Sequence, residues 1–133
     1  MKSYRLHTCI LIALFLFLMP LHSANTNQSV IKHKLQHVVA FKFKEDVKKP
    51  QIQKVEKAFV ALKEKIPEIA ALEWGTNNSP EGLNKDFTHC FIVTFHDEKG
   101  RAVYLPHPDH KAFVEILKPI LSDVFVIDFW AKN

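Results

Sequence analysis

The stretch after Tyr104 holds two prolines and two histidines and reads LPHPDH from Leu105 to His110. Each proline fixes its own φ and disfavours helix at the residue before it, so we expect Leu105 and His107 to be extended. Such a stiff bend between two helix-like segments brings a phenol and two imidazoles close together. Groups of this kind transfer protons, so the stretch predicts a small-molecule acid/base pocket, or else a rigid turn whose histidines are solvated.

Two further histidines lie in segments whose alternating apolar residues predict β-strands. These strands cover residues 36–44 and 87–95, and they place His37 and His89 on the same faces as neighbouring phenylalanines. If those faces meet the helices, both imidazoles line one cavity. Burial then requires hydrogen bonds to each other, to a ligand or to water.

Asp128 is a carboxylate in the otherwise apolar strand predicted over residues 124–130. One hypothesis is that Asp128 accepts the ring proton of His110 and so orients this imidazole as a base. The alternative is an exposed carboxylate near the end of the strand. His110 itself falls in the first turn of a predicted helix, where the positive end of the helix dipole favours a neutral ring. Its alternative role is that of a boundary histidine bonded to a backbone carbonyl.

Tyr104 and His107 also have structural alternatives. A phenol hydroxyl can donate to a substrate carbonyl, but a buried tyrosine with a satisfied hydroxyl is common in protein cores. His107, between the two prolines, is the candidate ligand-binding histidine that we most expect to be structural or partly exposed. The candidate histidines and Asp128 include enough donors for a two-histidine, one-carboxylate metal centre. Their spacing does not define one, and we expect neither a metal nor a cofactor.

The N-terminal residues follow the pattern of an export signal. Basic residues precede an apolar run from Cys9 to Met19, and a proline and small residues follow it. The run is shorter than the roughly 20 residues that cross a bilayer, so we expect no membrane span in the mature chain. We predict a signal peptide over residues 1–24, a flexible leader over residues 25–35 and a secreted or periplasmic product. An uncleaved anchor is the alternative, because Leu21 or His22 would occupy a position where cleavage prefers a small residue.

The mature chain is close to charge balance. Without Lys2 and Arg5, the eighteen basic residues become sixteen, against fourteen acidic residues. Nucleic-acid binding would need a clustered basic face with aromatic or arginine readers, and Arg101 is the only arginine left, so we expect no nucleic-acid partner. Cys90 then remains as a single thiol, which excludes an intramolecular disulfide and a thiolate metal site. We interpret it as a small apolar group where two sheets meet.

The predicted elements follow the order strand, helix, two strands, a helix pair and a final strand. The first helix runs to Ile66 before Pro67, the second strand covers residues 69–76, and Asp97 caps the helix after the third strand. This order is the ferredoxin-like split βαβ plan, an α+β fold with a four-stranded antiparallel sheet and helices on one face, over residues 36–133. Several strands are apolar on both faces, yet the helices can cover only one. The uncovered face needs a partner, which a symmetric homodimer with face-to-face sheets would supply. Its candidate residues are Val38, Ala40, Ile92, Phe125, Ile127 and Phe129.

Four blocks of the chain together resemble the stress-responsive dimeric α/β-barrel domain family. They are QHVVAFKFK from Gln36, EWG from Glu73, FTH from Phe87 with TF from Thr94, and YLPHPDH from Tyr104. The resemblance covers residues 37–130, and its most specific block is the His-Pro-x-His bend after an aromatic helix end. It implies a homodimer whose two sheets close into a dimeric α+β barrel, with a cavity in each monomer between its sheet and its helices.

Some plant members of this family are polyketide cyclases of the olivetolic acid cyclase type. The resemblance implies metal-independent enzymes in which a tyrosine and a histidine form an acid/base pair for an aldol-type ring closure. Matched by motif, that pair falls on Tyr104 and His110, and further family residues fall on His37, His89 and Asp128. Other members are known only as stress-induced proteins, and the export signal of this chain departs from the plant enzymes.

Two main functions are therefore expected. The first is an exported stress-response domain that binds a small apolar or aromatic ligand in a cavity between its sheet and its helices. The second is a cofactor-independent lyase or cyclase, in which His110 removes a proton next to a carbonyl while Tyr104 stabilises the enolate oxygen. A cofactor-free oxygenase or a haem-binding protein is a third possibility that depends on fold analogy alone.

Overall fold

The computed structural model describes residues 34–132, which hold four strands and four helical segments. The strands are β1 (Leu35–Phe43), β2 (Ile69–Thr76), β3 (His89–Phe95) and β4 (Leu121–Trp130). The helical segments are α1 (Lys49–Val60), α2 (Leu62–Lys65), α3 (Glu98–Tyr104) and α4 (Pro108–Leu117). This succession confirms the ferredoxin-like α+β plan. The predicted signal peptide over residues 1–24 and the leader as far as residue 33 lie outside the described residues.

The strands form one antiparallel sheet in the order β2-β3-β1-β4, so the first strand of the chain is central and the last is an edge. Leu35, His37, Val39 and Phe41 point from β1 towards the helices and are buried, while the residues between them are half-buried. The predicted alternation of β1 is therefore confirmed. β4 differs, because its residues from Ser122 onward are exposed on both faces.

The core between the sheet and the helices is built around aromatic rings. Phe41 and Phe91 of the sheet pack against Phe59 of α1 and Phe113 of α4, with ring centroids 4.1 to 6.3 Å apart. Aromatic pairs in tilted and edge-to-face arrangements contribute about 0.5–1.5 kcal/mol beyond the area that they bury. This packing holds α1 and α4 in fixed positions over the centre of the sheet.

The helix ends combine confirmed and corrected predictions. The Asp97 side chain accepts a hydrogen bond from the amide of Gly100 at 2.9 Å and caps α3, as predicted. The helix that was predicted to run without interruption to Ile66 is instead two segments, which meet at Ala61. Within residues 34–132, no helix combines the length and the apolar character that a bilayer crossing requires.

The proline bend is extended at only one of its two predicted positions. His107 has φ −57° and ψ 137° directly before Pro108, which begins α4. Leu105 keeps a right-handed helical conformation before Pro106, so the prediction of an extended Leu105 is wrong. The amide of Leu105 donates to the carbonyl of Arg101 at 3.0 Å, and this bond at the end of α3 outweighs the pre-proline preference.

The face of the sheet that points away from the helices, called the outer face below, is apolar and accessible. Its six predicted residues are half-buried or exposed, which matches the expectation that the helices leave this face uncovered. Ile127, in the middle of β4, is 48% exposed. The outer face comprises Val38 and Ala40 of β1, Ile92 of β3, and Phe125, Ile127 and Phe129 of β4.

Candidate functional site

A cavity of about 410 Å³ lies between the sheet and helices α3 and α4. Four of its lining residues carry polar or charged groups, namely His37, Tyr104, His110 and Lys118. The other lining residues are apolar and come from both layers, including Phe59 and Phe113 of the core. The cavity thus suits a ligand that is mainly apolar and carries a few polar atoms.

Tyr104 is the last residue of α3, and its side chain is only 1% exposed. Its hydroxyl is buried and has no hydrogen-bond partner among residues 34–132. Burial raises the pKa of the Tyr104 phenol well above its ordinary value, so the group stays protonated and remains a donor. A buried donor without a partner is rare in native proteins, and Tyr104 also lines the cavity, which makes it a candidate functional residue.

His110 lies in the first turn of α4, with its ring centroid 4.3 Å from that of Tyr104. Its Nδ1 donates to the carbonyl of Leu105 at 2.9 Å, so in the neutral ring the lone pair is on Nε2. Burial lowers the pKa of the His110 imidazole, although the bond to Leu105 opposes this shift. The ring is therefore a neutral base beside a phenol donor. His110 thus combines the two predicted environments, because it donates to a backbone carbonyl and also lines the cavity.

Asp128 does not orient His110, and the prediction of that contact is wrong. In the β1–β4 ladder Asp128 lies opposite His37, and its Oδ1 is 2.6 Å from His37 Nδ1. The other carboxylate oxygen accepts from Arg101 Nη1 at 2.5 Å. The site therefore contains a chain of three side chains, Arg101, Asp128 and His37, that ends at the cavity wall.

Arg101 is the residue of this site that the sequence analysis missed. It lies one helical turn before Tyr104, and residues three apart share one face of a helix. That spacing was the available signal. The spacing alone could not identify Arg101 as a site residue, because the strand register that brings Asp128 of β4 towards α3 was not known.

His89 faces the helices, as predicted, but it does not line the cavity with His37, so that expectation is wrong. It lies opposite Phe41, four residues further along β1 than His37, which corresponds to about 13 Å at the usual rise of a strand. Its Nε2 is 3.0 Å from Glu56 and its Nδ1 is 2.8 Å from Thr88. His89 is thus a buried, hydrogen-bonded histidine at the opposite end of the sheet.

His107 and Cys90 also lie outside the cavity. The Nδ1 of His107 accepts from the amide of Asp109 at 3.2 Å and caps α4, which is the structural alternative and not the ligand-binding one. Cys90 is exposed on the side of β3 that faces away from the helices, the parity that the sequence predicted. Among residues 34–132, no three histidine, cysteine or acidic side chains are arranged to hold a metal ion.

The element order and the antiparallel sheet define a ferredoxin-like α+β domain, with a cavity between its two layers. The particular family follows from the sequence. Residues 35–131 match the model of the stress responsive A/B barrel domain, and the chain belongs to this family.

Similar proteins include plant proteins of known sequence and structure. The chain is 34% identical over 98 residues to the stress-response A/B barrel domain-containing protein HS1 of Arabidopsis thaliana, covering 74% of this chain and 90% of that protein. It is 24% identical over 99 residues to the olivetolic acid cyclase of Cannabis sativa, covering 74% and 98% of the two chains. The crystal structure of Arabidopsis thaliana At3g17210 superposes with a TM-score of 0.70 at 32% identity, over 74% of this chain and 96% of that one.

Some solved neighbours of this fold are described as dimeric ferredoxin-like proteins. One of them, from Bacteroides fragilis, is 25% identical with a TM-score of 0.61, over 74% of this chain and 96% of its own.

Proposed function

We propose that the domain binds a small, mainly apolar molecule with an acceptor oxygen in the cavity between its sheet and its helices. The observation that carries this proposal is that Tyr104 lines the cavity while its hydroxyl is a buried donor without a partner among residues 34–132. A buried donor that makes no hydrogen bond costs about 1–3 kcal/mol. A ligand oxygen within reach of the hydroxyl would remove that cost.

The dimensions and lining of the cavity support the same conclusion. Its volume of about 410 Å³ falls within the range of roughly 300–1,000 Å³ that is usual for small-molecule sites. Its walls are mostly aliphatic and aromatic, so most of the ligand must be apolar to gain from burial. The polar atoms then select the ligand by its hydrogen bonds.

A matched pair of probes tests the role of the hydroxyl. Acetophenone and α-methylstyrene have nearly the same shape, but only acetophenone has an acceptor oxygen. In NMR titrations we expect acetophenone to bind about twofold to tenfold more tightly, which is the value of one neutral hydrogen bond. Tyr104→Phe should abolish this preference, and His107→Ala, outside the cavity, should keep it. Equal affinities in the unmodified protein, or a preference that survives in Tyr104→Phe, would contradict the proposal.

The contact between Tyr104 and His110 favours a second function, proton transfer without a cofactor. His110 Nε2 takes a proton from the carbon next to a ligand carbonyl, and the C–H electron pair forms a C=C bond. The carbonyl π pair moves to oxygen, where the Tyr104 hydroxyl stabilises the enolate. Attack of the enolate carbon on a second carbonyl of the same molecule would close a ring, and the proton held by His110 would pass to the new alkoxide oxygen. The Cannabis relative is named as a cyclase.

Deuterium exchange tests this second function independently of the natural substrate. The methyl group of acetophenone in deuterated buffer should gain deuterium faster with the protein than without it. His110→Asn should slow this exchange by about 100-fold, because a positioned base contributes at least that factor. His107→Ala is the matched control and should exchange at the unmodified rate. Exchange that is no faster than in buffer, or is unaffected in His110→Asn, would exclude the reaction.

We further propose that two copies of the chain pack through their outer faces. The support is the apolar, accessible outer face and the dimeric state of fold neighbours. A stable interface needs about 800 Å² from each partner, which a four-stranded sheet face can provide. Sedimentation equilibrium should give twice the monomer mass, and a monomer at micromolar concentration would contradict this proposal.

We also propose that the chain is exported through residues 1–24, on the charged, apolar and small-residue pattern of that segment. Expression of the full chain in a secretory host should release a product that begins near Asn25, as measured by intact mass. A product that stays inside the cells with its N-terminal segment attached would contradict export.

A further inference from the structure

We propose that Arg101 is a positioning residue of the cavity. By neutralising Asp128, Arg101 keeps His37 uncharged, with a proton on Nδ1 and a lone pair on Nε2 that accepts a hydrogen bond from a ligand. This inference deepens the ligand-binding proposal and rests on it. It adds a donor group, O–H or N–H, to the chemistry that the ligand must have.

Asp128 divides its two oxygens between two partners. Oδ1 lies 2.6 Å from His37 Nδ1, and Oδ2 lies 2.5 Å from Arg101 Nη1. A carboxylate can only accept hydrogen bonds, so the hydrogen in the first contact belongs to His37 Nδ1. In the neutral imidazole, Nε2 is therefore an acceptor.

Arg101 changes the effect of Asp128 on His37. A carboxylate in contact with an imidazole favours the charged imidazolium, in which Nε2 becomes a donor. The guanidinium is always protonated, and it supplies the opposite charge to the same carboxylate. The titratable groups that face His37 are Tyr104 of α3, Asp128 of β4 and His110 of α4, and Arg101 of α3 acts on His37 through Asp128.

The position of His37 makes its Nε2 useful to a ligand. The side chain is 7% exposed and lines the cavity, and Nε2 has no bonding partner within residues 34–132. The Tyr104 ring lies between two imidazoles, with centroids 5.8 Å from His37 and 4.3 Å from His110. A ligand at the phenol therefore meets one donor, on Tyr104, and acceptors on two different elements, β1 and α4.

The charge of His37 can be measured by nitrogen NMR on the ligand-free protein. At neutral pH we expect the neutral form with Nδ1 protonated. Arg101→Gln should raise the ratio of imidazolium to neutral His37 about tenfold, the least that an unopposed carboxylate at this distance produces. Arg101→Lys should restore the neutral form. Lys99→Gln removes the same charge from an exposed position of α3 and should have no effect.

Asp128→Asn separates this electrostatic role from a purely structural one. It removes the negative charge, so the share of imidazolium should fall, which is opposite to the change in Arg101→Gln. A salt bridge that only holds β4 and α3 together would give changes of the same sign in both variants. His37 remaining neutral in Arg101→Gln, or changes of the same sign in both variants, would overturn the proposal.

Indole and indene test the contact with a ligand. They have the same shape, but only indole has an N–H donor. In the unmodified protein and in Lys99→Gln we expect indole to bind more tightly than indene. The titrations are made at the pH where NMR finds His37 mainly charged in Arg101→Gln and mainly neutral in the unmodified protein. There the ratio of the two affinities should fall by about twofold or more in Arg101→Gln, because the charged ring no longer accepts at Nε2. An unchanged ratio overturns the assignment of His37 Nε2. If neither probe binds the unmodified protein, the ligand-binding proposal fails, while the NMR measurement still tests Arg101.

Discussion

His37 and Asp128 occupy paired positions of the central strand β1 and the edge strand β4. His37 Nδ1 lies 2.6 Å from Asp128 Oδ1. Because Asp128 also binds Arg101 of α3, this pair joins the edge of the sheet to the helix that ends in Tyr104. The cavity wall is thus held by polar contacts at the edge strand β4, whose residues from Ser122 onward are exposed.

Replacement of Asp128 by alanine should destabilise the fold. The substitution leaves His37 and Arg101 without their shared acceptor, and a hydrogen bond to a charged group contributes about 1.5–3 kcal/mol. Urea unfolding should show a loss of this size. The control is Asp123→Ala, another exposed carboxylate of β4, which should change stability by less than about 0.5 kcal/mol. Equal losses in the two variants would mean that the contact does not stabilise the protein.

Replacement of Tyr104 by phenylalanine should make the ligand-free protein more stable while it weakens binding. The variant removes a buried hydroxyl without a partner, so the free energy of unfolding should rise by about 1 kcal/mol. An ordinary core tyrosine with a satisfied hydroxyl would give the opposite sign. Thermal and urea unfolding without added ligand decide between the two.

The stability of the protein should depend on pH through His110. Burial lowers the pKa of His110 in the folded state, so the unfolded chain takes up its proton first as the pH falls. The contribution is complete above the unfolded value of about 6.5 and decreases as the pH falls from there towards the lowered folded value. Urea unfolding between about pH 5 and 8 should therefore show a smaller loss in acid for His110→Gln than for the unmodified protein. Identical pH profiles would contradict the burial of this imidazole.

His107 and His110 should behave differently although they are three residues apart. His107→Ala removes the cap of α4 and should cost about 1 kcal/mol of stability without a change in acetophenone affinity. His110→Ala should change the affinity, because this residue lines the cavity. If His107→Ala is fully folded but binds acetophenone more weakly, His107 takes part in ligand binding.

A charge on the outer face should separate the two copies of the proposed dimer. Ile127→Asp places an unpaired carboxylate in the middle of the proposed interface, and the dimer dissociation constant should rise by about 100-fold or more. Val103→Asp, at a similarly exposed apolar residue of α3, is the matched control and should leave association unchanged. Analytical ultracentrifugation measures both. Dissociation by both variants would indicate a general loss of structure.

Most of the architecture could be predicted because alternating patterns identify strands and their faces. The second strand was predicted over residues 69–76, the bounds that the structure gives it. The uncovered outer face also followed from the pattern, since apolar residues on both sides of a strand require two layers of cover. These features depend on local periodicity, which a single sequence contains.

The candidate site was predicted less completely because its contacts depend on register. The pattern placed His37, His89 and Asp128 on strands, but it gave neither the partner of Asp128 nor the distance between the histidines. The register set Asp128 opposite His37 and His89 opposite Phe41. The prediction of an extended Leu105 was wrong for a related reason. A hydrogen bond from its amide to Arg101 stabilises the helical conformation, against the preference set by Pro106.

Successive residues of β4 lie on opposite faces of the sheet. Val124 and Val126 line the cavity, while Phe125 and Ile127 belong to the outer face. If both proposals hold, filling the cavity and docking a second copy act on the same strand, and any effect of one equilibrium on the other is reciprocal. If a bound ligand orders β4 and thereby raises the dimer association constant, the dimer must bind the ligand more tightly than the monomer by the same factor. Dilution into monomers would then lower the affinity for the ligand.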